Sequence, residues 1–504
     1  DFSVSTFAKE HKLCSHQING SKETIKRGEI QDKDYIGMSK DTSIAYEVGT
    51  IKPGEKKELE ITILIDENKN ISDIEDEIER IKRIDFDKEY TNTKSYWRKY
   101  VKEHDGLKIK EPQNSYEEKI LNVYKRSILL FPLLMNEETG GIIASPEVDE
   151  ELSQCGRYAY CWPRDAVFIT QALDILKMNK EADKFYSEFC RITQSKNGMW
   201  EQRFYTDGKL APCWGYQIDE TASVIYGVYE HYKNTKELKF LQSNMKMCEN
   251  ALHFLFKYLE NIFGEKEEKD LVKKEIEEQV IKEGRQKDQI YKHVSYDLWE
   301  MNEGVHLYSL ASIYGAFNAM IGMYEEIKTK YENNRLKLEK IAKDIQKIKD
   351  EIENIRKYVE NNLYDENTKV LRRNAEDSKM DISTIGAVYP FELFGADEKK
   401  VLNTVEKINM TLRTYTGGYL RFEQDSYMGG KYPWPVTTLW MAMYYLKAGN
   451  KKMAQECFNF VVNSTSSLGF ISEQVDNNTM KPSWAIGLGW SHAMFIITLA
   501  ELLK

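Results

Sequence analysis

The sequence predicts a mainly α protein, a toroid of helical hairpins, with a short β segment at its N-terminal end. Three observations lead there. From Ser115 onward, one segment of helical period follows another, with almost no convincing strand among them. These segments come in two alternating textures, one apolar nearly all round and one amphipathic and charged, as inner and outer helices are. Polar and aromatic clusters stand beside the apolar segments, so a ring of those helices would gather the clusters at one end.

Length and composition bound the rest. At 504 residues the chain exceeds what one hydrophobic core usually supports, so one small and one large domain, or one very large helical domain, is expected. Nine Trp and 31 Tyr suit a core, and equally a sugar site, where a ring face covers C–H groups. The net charge of −10 and the lack of a Lys/Arg block argue against a nucleic-acid partner. Seven cysteines without a CxxC pair or metal-like spacing read as thiols, with at most one incidental bridge. No apolar run is long enough to span a membrane. The opening Asp-Phe-Ser-Val-Ser-Thr is no signal peptide and lacks an initiator Met. These features favour the cytoplasm slightly, with a monomer or weak oligomer expected.

Residues 1 to 68 hold few helical patterns. Ser43 to Val48 and Lys57 to Ile65 alternate polar and apolar residues around the turn signal Lys52-Pro-Gly-Glu55, which predicts a β-hairpin belonging to a larger sheet. Residues 69 to 114 are charged and helical in pattern and read as a connector, with Trp97 and Tyr100 as anchors. From 115 to 504 the apolar segments are Ile120–Leu134, Ala166–Leu176, Ala222–Tyr229, Val305–Met323, Val436–Leu446 and Ala485–Leu503. The charged set is Glu181–Arg191, Leu238–Tyr258, Arg335–Tyr358, Lys399–Met410 and Lys451–Val462. Asp270 to Asp288 is a charged insertion that reads as a solvated excursion.

Among the clusters, Tyr296 to His306 stands out. Glu300 follows Trp299, and a carboxylic acid beside an indole is kept partly dry, which raises its pKa as a general acid at neutral pH requires. Glu300 is expected on a loop or first turn opening onto the helix that starts near Val305. A helix N-terminus lowers a nearby carboxyl pKa, so desolvation must outweigh it. On this stretch alone, Asp297, Glu300 and Glu303 read better as ordinary acidic residues at a helix start. Tyr158-Ala-Tyr-Cys-Trp-Pro-Arg-Asp165, Cys213-Trp-Gly-Tyr-Gln-Ile-Asp219, Arg421 to Tyr427, Tyr432-Pro-Trp-Pro435 and Ser472 to Asp476 change that balance. Each alone fits a cap or a rigid loop, but capping needs no Trp.

Glycosidic cleavage needs one carboxylic acid to protonate the leaving oxygen and one carboxylate on the other face. Glu300 suits the acid. Glu473, in a Gly/Ser-rich stretch, suits an ionised base. Arg164 with Asp165, and Arg421, suit sugar hydroxyls; Trp162, Trp214, Trp434 and Trp490 suit walls. His306 and His492 read as core or rim histidines. No Ser-His-Asp arrangement, phosphate loop or dinucleotide fingerprint competes.

On these residues the chain resembles glycoside hydrolase family 15, the glucoamylases and their bacterial relatives. Gly141-Ile-Ile-Ala-Ser-Pro146, Trp162-Pro-Arg-Asp165, Asp297-Leu-Trp-Glu300, Arg421 with Asp425-Ser-Tyr427, Ser472-Glu-Gln474 and Gly489-Trp-Ser491 are similar to family motifs, in the family's order, across residues 115 to 504. The resemblance implies an (α/α)6 barrel, with residues 1 to 68 a partial β-sandwich and 69 to 114 a helical linker. It implies inverting exo-hydrolysis of α-glucosidic bonds at non-reducing ends of short α-glucans. Glu300 would be the acid and Glu473 the base. Tyr158, Trp162, Arg164, Asp165, Trp214, Trp299, Arg421 and Trp490 would hold the first glucosyl unit, with Gln217 and Asp219 following Trp214 at a variable spacing. Met301 stands where fungal members often carry a second Glu, which leaves linkage preference open. Isomaltose- or dextran-type glucosidases and trehalases belong to the same family. A non-catalytic glucan-binding module on the same barrel is a further alternative. A terpene-cyclase-like toroid would need Asp-rich motifs that the sequence lacks. No cofactor is called for, and nothing specifies the calcium ion possible in the family.

Overall fold

A computed structural model describes residues 11–15, 42–46, 48–59, 71–149, 152–153, 155–264, 295–427 and 431–504. It divides into two compact units, Asp1–Asn92 and Thr93–Lys504.

In the first unit, β1 (His11–Ser15) pairs antiparallel with β2 (Thr42–Tyr46), His11 opposite Tyr46 and Ser15 opposite Thr42. This corrects the predicted hairpin. The Lys52-Pro-Gly turn does form, with Glu55 N–H donating to the Lys52 carbonyl at 2.9 Å. However, β2 takes its partner from upstream, residues 57–59 carry no strand, and 60–65 lie outside the described residues. A local turn signal fixes a bend, not the strand that pairs across it. Helix α1 (Ile71–Ile81) follows, and the boundary between the units falls within α2 (Phe86–Glu103).

The second unit is built on a ring. Its members are α4 (Pro163–Ile175), α7 (Ile218–Thr235), α9 (Leu307–Ile327), a 3-10 turn (Ile382–Ala387), α12 (Pro435–Lys447) and α14 (Gly489–Leu502). Each packs on the next in that order, and α14 packs back on α4. Their side chains are buried on nearly every face; α14 is buried continuously from Gly489 to Leu499. Fully burying one Leu, Ile, Phe or Met side chain contributes about 1.5–3 kcal/mol, so such helices are stable only inside the ring. Close approach needs space: a Cβ on Gly227 of α7 would lie 2.8 Å from Val167 of α4 and 2.2 Å from the Tyr186 hydroxyl.

Around the ring lie amphipathic helices. These are α3 (Ser115–Leu134), α5 (Asn179–Lys184) and α6 (Cys190–Thr193) joined by a π turn (Phe185–Phe189), α8 (Leu238–Phe263), α10 (Arg335–Tyr358), α11 (Lys399–Thr411) and α13 (Lys451–Asn463). In α10 the buried residues are Ile341, Ile348 and Ile355, one every two turns, so a single stripe faces inward. Asn114 starts α3 by accepting from the Tyr116 and Glu117 amides at 3.1 and 3.0 Å. α3 corrects the sequence reading, which grouped Ile120–Leu134 with the inner set. It packs one face on α13 and α14 and leaves Leu133 64% exposed. Its apolar outer residues imitate a buried helix. The ring position it seemed to fill belongs to the Ile382–Ala387 turn, too short to register as a helical period.

Among the described residues no helix is long and apolar enough to cross a membrane. Cys155, Cys161, Cys190, Cys248 and Cys457 are free thiols. The Asp270–Asp288 insertion lies outside the described residues.

Candidate active site

The polar clusters sit at the N-terminal ends of ring helices, for local reasons. Trp162 and Trp434 have extended backbone and are each followed by Pro at the first helical position, so the chain enters α4 and α12 stiffly. That places Arg164 and Asp165 in the first turn of α4, and the aromatic ring of Trp434 at the mouth of α12. Gln217 precedes α7, with Asp219 and Glu220 in its first turn. Trp490 opens α14.

Glu300 is placed otherwise than expected. It lies at the tip of a hairpin between β3 (Ser295–Tyr296) and β4 (Glu303–Gly304), well short of Leu307 where α9 starts. The tip is tight: Glu300 has φ +62, a left-handed conformation that non-glycine residues hold only when their surroundings impose it. Asp297 imposes it. Its Oδ1 accepts from the Met301 and Asn302 amides at 2.8 and 3.2 Å, and its carbonyl accepts from the Glu300 amide at 2.9 Å. Gln217 braces the same loop, donating to the Asp297 carbonyl at 2.7 Å.

The Glu300 Oε1 accepts from Trp162 Nε1 at 2.6 Å. Glu300 as a whole residue is half-buried. Burial raises its pKa; Arg164, Arg203 and the Trp162 hydrogen bond oppose that. The indole of Trp299 turns away and donates to Asp381 Oδ1 at 3.0 Å.

Glu473 lies on β7 (Ser472–Val475), paired with β8 (Pro482–Ile486), rather than in the loop that the sequence suggested. It is 4% exposed. Tyr158 donates to its Oε1 at 2.6 Å. Trp484 Nε1 in turn donates to both the Tyr158 and Tyr427 hydroxyls at 3.1 Å, and these two hydroxyls lie 2.7 Å apart. Burial pushes the Glu473 carboxyl up to about 7, against the lowering effects of Tyr158, Arg421 and Gln474. The site itself disfavours the charge, and Tyr158 and Arg421 recover part of it.

The two carboxylates are joined through their donors. Tyr158 and Trp162 have ring centroids 6.4 Å apart, and each holds one glutamate. Around them the predicted aromatics assemble. Arg421 is caged by Trp434, Tyr427 and Trp299, at 4.5, 4.6 and 5.3 Å from their ring centroids. Asp425 takes its Nε and Nη2 at 2.8 Å each, so Nη1 is the nitrogen that Asp425 does not engage. The Trp490 ring lies 5.6 Å from the Arg164 guanidinium.

Arg164 is surrounded by Asp219 at 2.9 Å, Glu220 at 3.1 Å and Asp165 at 3.2 Å. Three buried carboxylates on one guanidinium leave excess negative charge. Burial, followed by its acidic neighbours, raises Glu220 well above the usual carboxyl range even against the lowering effect of Arg164. Two predicted ligand contacts sit behind this layer. Asp219 and Gln217 are 0% and 1% exposed and are committed to Arg164 and to the Asp297 loop. They support the site rather than line it. Trp214 is placed at the edge, 45% exposed, its ring 4.5 Å from Arg203, whose guanidinium lies 5.3 Å from the Trp162 ring. Sequence reasoning missed Arg203, Trp484 and Glu220, and gave Tyr427 no role of its own. Tyr427 stood inside a quoted motif, but Arg203 and Trp484 carry no local pattern. Among the described residues no group of three or more His, Cys, Asp or Glu is placed to hold a metal ion.

The arrangement offers a proton donor and a proton acceptor held by separate aromatic residues, with two arginines and several ring faces beside them. Comparisons with known proteins agree on a class. The family described as Glycosyl hydrolases family 15 matches residues 118–500. The uncharacterized glycosyl hydrolase MJ1610 of Methanocaldococcus jannaschii is 28% identical over 493 residues, 95% of this chain and 71% of that protein. Trehalase 1 and Trehalase 2 of Sulfolobus acidocaldarius are each 28% identical over shorter stretches, 102 and 112 residues, which are 20% and 22% of this chain and 18% and 19% of those proteins. Among solved structures, a bacterial glucoamylase complexed with acarbose superposes with a TM-score of 0.67 at 18% identity, covering 98% of this chain and 70% of that one. The glucoamylase from Saccharomycopsis fibuligera gives 0.59 at 14% identity, over 78% and 97%. These structures share the (α/α)6 barrel.

Proposed function

The chain belongs to glycosyl hydrolases family 15 and is a glycoside hydrolase, and from that premise we propose that it is an inverting, exo-acting α-glucosidase. In this reading it releases β-glucose from the non-reducing ends of short α-glucans. The observation that carries it is the pair of glutamates held by Tyr158 and Trp162 within one set of aromatic rings.

Glu300 is the general acid and Glu473 the general base. Exposure supports that division. The leaving sugar must depart toward solvent, and Glu300 is on the open side, beside Met301 at 37% and near Trp214 at 45% exposed. Glu473 is on the closed side, where one water can be held beneath the anomeric carbon. Glu473, ionised, takes a proton from that water as its oxygen attacks C1. Glu300, protonated, gives its proton to the glycosidic oxygen as the C1–O bond breaks. Tyr158, through its hydrogen bond, favours the ionised form of Glu473. Arg164, Asp165 and Nη1 of Arg421 bind glucosyl hydroxyls, and Trp162, Trp299, Trp434 and Trp490 enclose the ring.

The test is glucose release from maltose, isomaltose, trehalose and starch, with NMR of the first anomer formed. Release of β-glucose supports the proposal. α-Glucose would mean a retaining route, and no release from any of the four would favour a binding module. Trehalose cleaved in preference to maltose would move the reading to a trehalase, the second reading that the two Sulfolobus relatives favour.

A further inference from the structure

We propose that Asp381 is a positioning residue for the acid, holding the Trp299–Glu300 hairpin in register with the neighbouring Arg421. This rests on the reading of Glu300 as general acid. Asp381 is wholly buried and caps the Ile382–Ala387 turn that fills the fourth ring position, its Oδ1 accepting from the Ser383 amide at 2.7 Å.

The same oxygen accepts from Trp299 Nε1 at 3.0 Å, and Trp299 is the residue directly before Glu300. On the backbone side, Asp381 bridges to Phe422, and the Ile382 amide donates to the Arg421 carbonyl at 2.8 Å. The Trp299 ring then rests against the Arg421 guanidinium at 5.3 Å. One short segment thus touches both the hairpin and the Arg421 stretch, the first through a side chain and the second through the main chain. Arg373, 2% exposed, lies behind it with Nη1 3.4 Å from Asp381 Oδ2. Its carbonyl receives the Leu307 amide at 2.8 Å, at the start of the helix that follows the hairpin. His306 and Asn374 bridge beside it, and His306 Nε2 meets the Asn302 carbonyl at 3.0 Å.

Why an indole–carboxylate contact matters follows from the hairpin itself. Glu300 is held at φ +62 in a two-stranded turn whose strands are two residues each. Such a turn has little stiffness of its own. A rotation at Trp299 carries Glu300 with it, and proton transfer tolerates little displacement. A purely structural carboxylate would cap the 3-10 turn and neutralise Arg373. It would gain nothing from the indole.

The experiment measures kcat/KM for maltose and for a series of aryl α-glucosides and α-glucosyl fluoride, with leaving groups of falling pKa. Wild type and Glu300→Gln come first. A Glu300→Gln defect that shrinks as the leaving group improves establishes the acid, and a uniform one defeats the proposed function irrespective of Asp381. Asp381→Ala is then expected to lower kcat/KM for maltose roughly 10- to 100-fold but for the fluoride by less than about threefold, because a good leaving group needs no proton. Asp381→Asn keeps an acceptor for Trp299 and Ser383 while removing the charge beside Arg373. It is expected to lower the melting temperature yet keep the leaving-group dependence of wild type. Trp299→Phe, which removes the donor and leaves Asp381 in place, should reproduce the graded defect if Asp381→Ala fails to fold. A defect equal across the series in Asp381→Ala or Trp299→Phe, or no defect in either, overturns the proposal.

Discussion

The two glutamates of the site are chemically the same group in opposite settings. Glu300 sits on a strained, partly exposed hairpin tip with its amide and loop tied to Asp297, and an indole N–H is its donor. Glu473 sits at a register shift in a short paired strand, nearly sealed, beside a network of phenols and an indole. Burial raises both carboxyls, and raises Glu473 to about 7. In the proposed mechanism, the difference teaches that the acid's task is set by where it can reach, while the base's is set by what surrounds it. An acid must follow the leaving oxygen at the open side; a base must keep its charge in a dry place, which only donors can secure.

The largest effect that would break this comparison is loss of either carboxylate. Glu300→Gln and Glu473→Gln should each lower kcat on maltose by about 10²–10⁴-fold while aza-sugar binding persists. Calorimetry with the same variants checks that binding. Glu473→Gln with full activity would remove the base.

A second effect concerns stability and has a definite sign. The folded pKa of Glu473 is raised from 4.5 to about 7, so the folded protein holds this proton more tightly than the unfolded chain. Its contribution is therefore harmless below about pH 4.5, grows more destabilising as pH rises from there to about 7, and levels off above that at roughly 3 kcal/mol. Glu473→Gln should consequently be stabilised relative to wild type at pH 8, and little changed at pH 4, in urea unfolding. With Glu473 as the proposed base, the same buried carboxyl should make the pH profile of kcat/KM rise up to about 7 in wild type.

Tyr158→Phe sharpens the contrast further. It removes the donor to Glu473, about 1.5–3 kcal/mol for a hydrogen bond to a charged group. Activity should fall roughly 10- to 100-fold and the rising limb of the pH profile should move upward, since Tyr158 lowers that pKa. An unshifted limb would mean that the limb belongs to another group. The smallest effect is Ser491→Ala. Ser491 Oγ donates to the Ser472 carbonyl at 3.0 Å, beside Glu473. Its loss should cost about 1 kcal/mol of stability and little kcat, because β7 remains paired with β8.

Much of this was legible in the chain, and the exceptions share a cause. Ring helices such as α14 and α9 declare themselves through continuous apolar burial, and Trp162-Pro163 and Trp434-Pro435 mark helix starts. Glu300 was legible as a residue but not as a hairpin tip, because strands of two residues leave no period to read. The Ile382–Ala387 turn fails for the same reason, and its absence made α3 look like a ring member. Trp484, Arg203 and Asp381 gain their roles from neighbours distant in sequence, so no local pattern announces them. Asp219 and Gln217 were found at the right place but one layer too deep, a distinction that only coordinates make.

One measurement addresses the centre of the account most directly: a crystal structure of the enzyme with acarbose, the compound bound by the bacterial glucoamylase that shares its fold. The account predicts the linkage nitrogen of the inhibitor within hydrogen-bond reach of Glu300, and an ordered water between Glu473 and the ring carbon on the opposite face. Carboxylates meeting the same face, or an inhibitor bound away from Tyr158 and Trp162, would contradict it.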